Sequence, residues 1–355
     1  MAIVLALVAA ACSSGTQGEE TTSTAAASPT TSEGTAASTT TAPPETTETT
    51  APAEPINIAY LSASSANTWL LSSKAEMEKV ADATGFKIVE FDGQFNPETQ
   101  TQQLQDIIAS GDYAGVVVCG IFGEGLIPDL QDAMDRGMEV VVLNQVVGPK
   151  LDTPDPQVEG FAASILAPPL RSGERMGELT LQACEGVDPC RVVYFYGIKG
   201  TPIDTALRQG FDAVISQNPA IEVVAEGEGK YLGPEQGMTA MQDIMQATPE
   251  FEVVVGADQP IQGVEIVLAD EGRLDAVKLI GLGGSVPALE AIADGRWFGD
   301  VFGAPGTEGR LAMEAMVDAV LNGNHEGGID PLATLPDNGL VTRDNVDKFT
   351  AEWQG

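Results

Sequence analysis

The hydrophobic pattern of the chain sets in at Ile56. Ile56–Leu61 reads I-N-I-A-Y-L, apolar enough for a strand buried on both faces of a parallel sheet. Small polar residues around one aromatic follow, S-A-S-S-A-N-T-W, and then a helical run from Leu70 to about Thr84. Asn67 is placed to cap that helix and Gly85 to end it. The same start recurs at Arg191–Thr205: the apolar R-V-V-Y-F-Y, the loop G-I-K-G-T-P-I-D-T, and a helix. Loops of this kind lie at the carboxyl ends of strands, where open α/β sheets bind ligands. Two such starts, a domain apart, predict two similar lobes with their binding edges facing each other.

The pattern alternates throughout. In the first half, strands are expected at Phe86–Phe91, Gly115–Cys119 and Glu139–Leu143, with helices at Thr99–Ala109 and Pro128–Arg136; Phe161–Leu166 reads as a further strand leading out of the lobe. In the second half, Ser172–Ala183 reads as a helix, and strands at Arg191–Tyr196, Glu222–Glu226, Glu252–Gly256 and Val277–Leu282 alternate with helices near Asp204–Gln217, Pro234–Gln246, Ile261–Asp270 and Val286–Ala293. Phe298–Phe302 is a short strand and Gly309–Leu321 a long helix. Strand–helix alternation gives the α/β class with parallel sheets. The chain is expected to cross between lobes three times: after Phe161–Leu166, near Gly303–Gly306, and near Leu332–Asp337. The division is then residues 55–164 plus 304–333 for an N-terminal lobe and 165–303 plus 334–355 for a C-terminal lobe.

Composition narrows the classes. The 355 residues are enough for two domains of ordinary size. Seventeen Lys and Arg stand against 52 Asp and Glu, a net charge of −35, which repels nucleic acid and anionic membrane. Ala2–Ala11 is an apolar run too short to span a bilayer, and it ends in A-A-A before Cys12. It resembles a bacterial lipoprotein signal, residues 1–12, in which Cys12 is lipidated. Two features depart from that pattern: no basic residue precedes the run, and Ala9 stands where the signal usually has Leu. The alternative is a plain signal peptide with an incidental cysteine. Residues 13–54 are nearly all Ser, Thr, Ala, Gly, Pro and Glu, a stalk composition that buries little. Cys184 and Cys190 bracket the turn E-G-V-D-P and could close a small disulfide loop in an oxidising compartment, while Cys119 ends an apolar strand as a buried thiol. No cluster has metal-ligand spacing and no cofactor loop is present: G-L-G-G-S at Gly281–Ser285 lacks dinucleotide spacing. The single His, His325, reads as a surface residue without a catalytic partner, so no enzyme is indicated.

The order of these elements resembles the sugar-type, ribose-binding-like periplasmic binding proteins of ABC importers, over about Ile56–Phe349. Asn67-Thr68-Trp69-Leu70 resembles that family's Asn-Pro-aromatic-aromatic loop. Gln94, Asn96, Pro97 and Gln100 resemble its second-strand loop, and Gly200-Thr201 through Gly210-Phe211 the first loop of its second lobe. Asp258-Gln259 stands where the family often has Asn-Asp, and L-V-T-R-D-N-V-D at Leu340–Asp347 resembles its closing tail. The resemblance implies a type I periplasmic binding protein fold: two Rossmann-like lobes on a three-segment hinge, with a small solute in the cleft. It also implies an ABC permease as partner, a monomer, and a location on the outer face of the cell membrane, anchored through lipidated Cys12.

The candidate contacts are Ser64, Asn67, Trp69 and Leu70 in the first loop and Phe122 after the third strand. Asn144 and Gln145 follow the fourth strand, Thr201, Asp204 and Thr205 lie in the second lobe's first loop, and Asp258 and Gln259 begin a later helix. Several have an equal structural use. Asn67 and Asp258 are as well placed to cap helices, and Phe122 to pack within its lobe. The family's usual charged clamps are largely missing: its Asp-Arg is Asn144-Gln145 here, its second-lobe Arg falls on Thr205, a later Asp on Gly283, and a Gln at the last crossover on Gly303. Buried hydroxyl groups need matched partners, which puts a densely hydroxylated hexose in doubt. A receptor feeding a permease and a sensor presenting the same solute to a membrane kinase or chemoreceptor read alike at this level.

Overall fold

The computed structural model describes residues 54–355, which form one unit with two sheets. The expected signal with Cys12, and the stalk up to residue 53, lie outside the described residues.

The first sheet holds β1 (Ile56–Ser62), β2 (Phe86–Asp92), β3 (Gly115–Val118), β4 (Glu139–Leu143), β5 (Ala163–Ile165) and β11 (Gly327–Ile329) in the order β11-β5-β4-β3-β1-β2, all parallel. The second holds β6 (Cys190–Tyr196), β7 (Ile221–Glu228), β8 (Val253–Val255), β9 (Lys278–Gly283), β10 (Gly299–Phe302) and β12 (Leu340–Thr342) in the order β12-β10-β9-β8-β6-β7. Its strands are parallel except β12, which runs antiparallel to β10.

The period-two alternation of β1 explains how helices cover both faces. Ile58 and Tyr60 enter one core with Met77 and Met316, while Ala59 and Leu61 enter the other with Leu104 and Val118. Helices α1 (Thr68–Thr84) and α9 (Pro305–Asn322) lie together on the first of these faces, α2 (Pro97–Ser110) and α3 (Gly123–Asp135) on the second. In the other lobe α4 (Pro169–Ala183) pairs with α5 (Pro202–Ile215), and α6 (Pro234–Ala247) with α7 (Asp258–Asp270), while α8 (Val286–Asp294) packs near β10.

Glycines let the paired helices meet backbone to backbone. A Cβ on Gly309 of α9 would lie 2.0 Å from Ser73 O of α1, and one on Gly173 of α4 the same distance from Leu207 O of α5. Gly237 and Gly263 do the same for α6 and α7, each 2.1 Å from the facing carbonyl.

Several boundaries differ from the sequence reading. Helix α3 starts at Gly123 rather than Pro128, so Pro128 sits in its second turn and forgoes one backbone hydrogen bond. Helices α4, α5 and α9 start earlier than read because a proline occupies the first helical turn, where its missing N–H costs nothing. The chain passes between the sheets between β5 and α4, between β10 and α9, and between β11 and β12. Cys184 and Cys190 are joined by a disulfide with Cα atoms 5.7 Å apart, and Cys119 is a buried free thiol.

Candidate functional site

The facing sheet ends enclose a cleft of about 130 Å³. From the first lobe its walls take Asn67, Trp69 and Leu70, Phe95, Cys119, Asn144 with Gln145, and Glu308. From the second they take Ser172, Tyr231, Gln259 and Phe302, and from the C-terminal tail Trp353.

Local backbone chemistry sets these side chains. Asn67 caps α1, its Oδ1 accepting from Leu70 N at 3.0 Å, while its Nδ2 donates across the cleft to Tyr231 O at 2.8 Å. The helix cap and the inter-lobe contact are thus one side chain. Gln100 ties the ends of β1 and β3 together, donating to Ser62 O and Cys119 O and accepting from Ile121 N. Three wall residues, Phe95, Asn144 and Tyr231, hold positive φ of 53°, 62° and 56°. Non-glycine residues in this region are strained and concentrate at ligand clamps.

Two glycines explain how the tryptophans come to lie here. A Cβ on Gly303, at the second crossing, would fall 2.3 Å from Trp69 Cη2. One on Gly283, which has φ of +153°, would fall 2.6 Å from Trp353 Cζ2. These are the two positions at which the resemblance leads one to expect a Gln and an Asp. Without those side chains the rings of Trp69 and Trp353 fill the space, edge to face with centroids 5.4 Å apart. Trp353 Nε1 donates to Gly283 O at 2.8 Å, and Trp69 Nε1 to Glu308 Oε2 at 3.1 Å.

Glu308 is the electrostatic centre of the cleft. It sits in the first turn of α9, only 2% exposed, and its Oε2 also accepts from Asn144 Nδ2 at 3.0 Å. Burial pushes its carboxyl up to about 8 against those two hydrogen bonds, and the charges of Glu352 and Asp330 add to the rise. Among the described residues no Lys or Arg lines the cleft.

Six of the twelve candidate contacts come together here: Asn67, Trp69, Leu70, Asn144, Gln145 and Gln259. The other six do not line the cleft, for identifiable reasons. Ser64 turns its hydroxyl back to accept from Ala66 N. Phe122 stands at the N-terminal flank of α3, 43% exposed. Thr201 caps α5, and exposed Thr205 donates to Thr201 O. Asp204 lies under its loop, accepting from Gly197 N, Ile198 N, Thr201 Oγ1 and Tyr231 Oη. That loop geometry is what holds Tyr231 at the wall. Asp258 accepts from Ser285 N at 2.8 Å and faces Asp300 behind Gly281, both carboxyls raised by burial. The pair supports the Gly283–Ser285 turn from beneath, with Asp300 accepting from Gly284 N at 2.8 Å.

The sequence pattern does not point to Phe95, Cys119, Ser172, Tyr231, Phe302, Glu308 or Trp353 as contacts. An acid in the first turn of a helix is commonplace, and Trp353 reaches the cleft only through the tail. Among the described residues no group of three or more His, Cys, Asp or Glu is placed to hold a metal ion.

A family model described as a periplasmic binding protein domain matches residues 58–325. The chain belongs to that family. Membership carries an extracytoplasmic location. The ribose import binding protein of Bacillus subtilis (strain 168) is 25% identical over 263 residues, covering 72% of this chain and 79% of that protein. That of Salmonella typhimurium is 25% identical over 260 residues, covering 72% and 82%. Among solved structures, a Mycobacterium smegmatis ABC transporter solute binding protein with bound glycerol superposes with TM-score 0.71 at 24% identity, over 85% of this chain and 99% of that one. A Bacillus halodurans C-125 solute binding protein with bound myo-inositol gives 0.71 at 20% identity, over 86% and 100%. These last two likenesses establish the two-lobed fold.

Proposed function

We propose that this periplasmic binding protein captures a small sugar-like or polyol solute between its lobes and delivers it to the membrane permease of an ABC importer. In this reading the protein is tethered through lipidated Cys12. The observation that carries the reading is the inter-lobe cleft, to which both lobes contribute polar side chains: Asn144 and Glu308 from one, Ser172 and Gln259 from the other. A solute touching both sets gains all its contacts only when the lobes meet, so it favours the closed shape, and a closed shape is something a permease can distinguish. The volume of about 130 Å³ is close to the ~150 Å³ of an engineered cavity that admits benzene, which favours a single small ring or a short polyol over an oligosaccharide. The ribose import binding proteins named above support the transport role.

The test is a thermal-shift screen of the purified protein over pentoses, hexoses, cyclitols and short polyols. A ligand that binds only the folded state raises the melting temperature, by about 2.7 kcal/mol of stabilisation at a hundredfold excess over Kd. A melting temperature unmoved by every class at millimolar concentration overturns the reading.

A further inference from the structure

The donors and acceptors around the cleft are unevenly matched. Asn67 Nδ2 is engaged by Tyr231 O, and Gln145 Nε2 by Asn144 Oδ1. Asn144 Nδ2 and Trp69 Nε1 are both engaged by Glu308, and the Tyr231 hydroxyl by Asp204. The donors nearest Glu308 are thus partly engaged within the walls, while Ser172 and Gln259 on the facing lobe have side chains that bond no other described residue. One carboxyl oxygen stands out. Among the described residues no protein group hydrogen-bonds Glu308 Oε1, although the side chain is buried and its other oxygen takes two donors. The same space is bounded by the aromatic rings of Trp69, Trp353, Phe95 and Phe302, and among the described residues no cationic side chain lines it. Aromatic walls with a carboxylate are the chemistry that holds an ammonium group.

We propose that Glu308 determines specificity in this cleft, and that the solute is a small hydroxylated amine whose ammonium group sits against Glu308 Oε1 and the tryptophan rings. The inference rests on the reading of the cleft as a solute site and names the class of solute. An ammonium group offers donors and positive charge to Glu308 Oε1, and the solute's hydroxyls are left to the side chains of Ser172 and Gln259.

Charges around Glu308 point the same way. From the tail it is faced by Glu352, from the third crossing by Asp330, and from β1 and the end of β3 by Tyr60 and Cys119, whose burial raises both well above neutrality. Burial, with the neighbouring carboxylates adding to it, disfavours ionisation of Glu308, so the empty cleft holds it mainly protonated at neutral pH, on Oε1 because Oε2 takes two donors. An arriving cation reverses that balance, and the carboxyl ionises as it binds. The proton leaves to solvent, and the products are an ammonium–carboxylate pair and one released proton.

The test uses the full-length protein and matched pairs of probes differing in charge: 2-amino-1,3-propanediol against glycerol, D-glucosamine against D-glucose, and choline against 3,3-dimethylbutan-1-ol. Isothermal titration at pH 7 in buffers of different ionisation enthalpy gives both affinity and proton count. In at least one pair the amine is expected to bind ~10-fold or more tightly than its neutral partner, releasing about one proton per site. Glu308→Gln is expected to erase the preference while leaving a cooperative melt. Should Glu308→Gln not fold, the proton count of the unaltered protein decides: a count near zero on amine binding overturns the inference. Neutral partners binding as well as the amines, or a Gln variant that keeps the preference, overturn it and leave the solute-site reading standing. Failure of every charged and neutral probe overturns both.

Discussion

Replacing Glu308 by Gln stabilises the empty protein, and by an amount that grows with pH. The buried carboxyl has its folded value raised from 4.5 to about 8, so the folded state retains a proton that the unfolded chain has released. The contribution of the protonated group is fully present below pH 4.5 and is lost as pH rises through 8. At about 1.4 kcal/mol per tenfold, the whole excursion is roughly 5 kcal/mol. Gln cannot ionise and its carbonyl oxygen can accept from Trp69 and Asn144 as Oε2 does. The variant should therefore exceed the parent by about 1 kcal/mol at pH 5, about 3 at pH 7 and about 5 at pH 9. For a folded unit of this size about 2 °C corresponds to each kcal/mol. Differential scanning fluorimetry of both proteins without ligand should thus show a melting gap opening from about 2 °C to about 10 °C across that range. A gap of constant size would mean that Glu308 is not the group that titrates, and the electrostatic account of the cleft would fall with it.

Three further outcomes are expected. Non-reducing mass spectrometry should recover the peptide linked through Cys184 and Cys190, and reduction should lower stability by about 2 kcal/mol for so short a loop; free thiols at both positions in the native protein would reject the link. Trp69→Ala and Asn144→Ala should each weaken solute binding about tenfold or more while the protein still melts cooperatively, and unaltered affinity in both would displace the site from this cleft. With an identified solute at saturation, small-angle scattering should report a smaller radius of gyration than without it, and an unchanged radius would rule out closure of the lobes about the three crossings.

Much of this architecture was legible in the residues, for reasons that vary by element. Asn67 and Gly85 mark both ends of α1 because capping chemistry is local. The apolar runs of β1, β3 and β4 declare parallel strands because both faces are buried. Strands β11 and β12 carry three residues each at the edges of their own sheets, too short for a period to register, and the antiparallel sense of β12 follows from the returning chain rather than from its own residues. In the site, position along the chain identified the right loops but not the direction of each side chain. Asp258 and Gln259 are neighbours at the start of α7, and one turns beneath the Gly283–Ser285 turn while the other reaches the cleft. Glu308 shows nothing in G-T-E-G that sets it apart from any acid in a first helical turn. Its importance comes from Trp69, Asn144 and Glu352, more than 40 residues away in either direction.

The glycines under the tryptophans impose an order on any change of specificity. Installing a polar clamp at position 303 or 283 one mutation at a time first drives a new Cβ into a ring, at 2.3 Å from Trp69 or 2.6 Å from Trp353. Shrinking a tryptophan first instead opens a void and costs on the order of 3–5 kcal/mol. Neither single step is neutral, and at position 283 a new Cβ must also clear Asp258 Oδ2 at 2.9 Å and hold a φ of +153°. Descent between this cleft and a conventionally clamped one therefore runs through coupled substitutions, and an alignment of relatives should show residues 69 and 303, and 353 and 283, exchanging together.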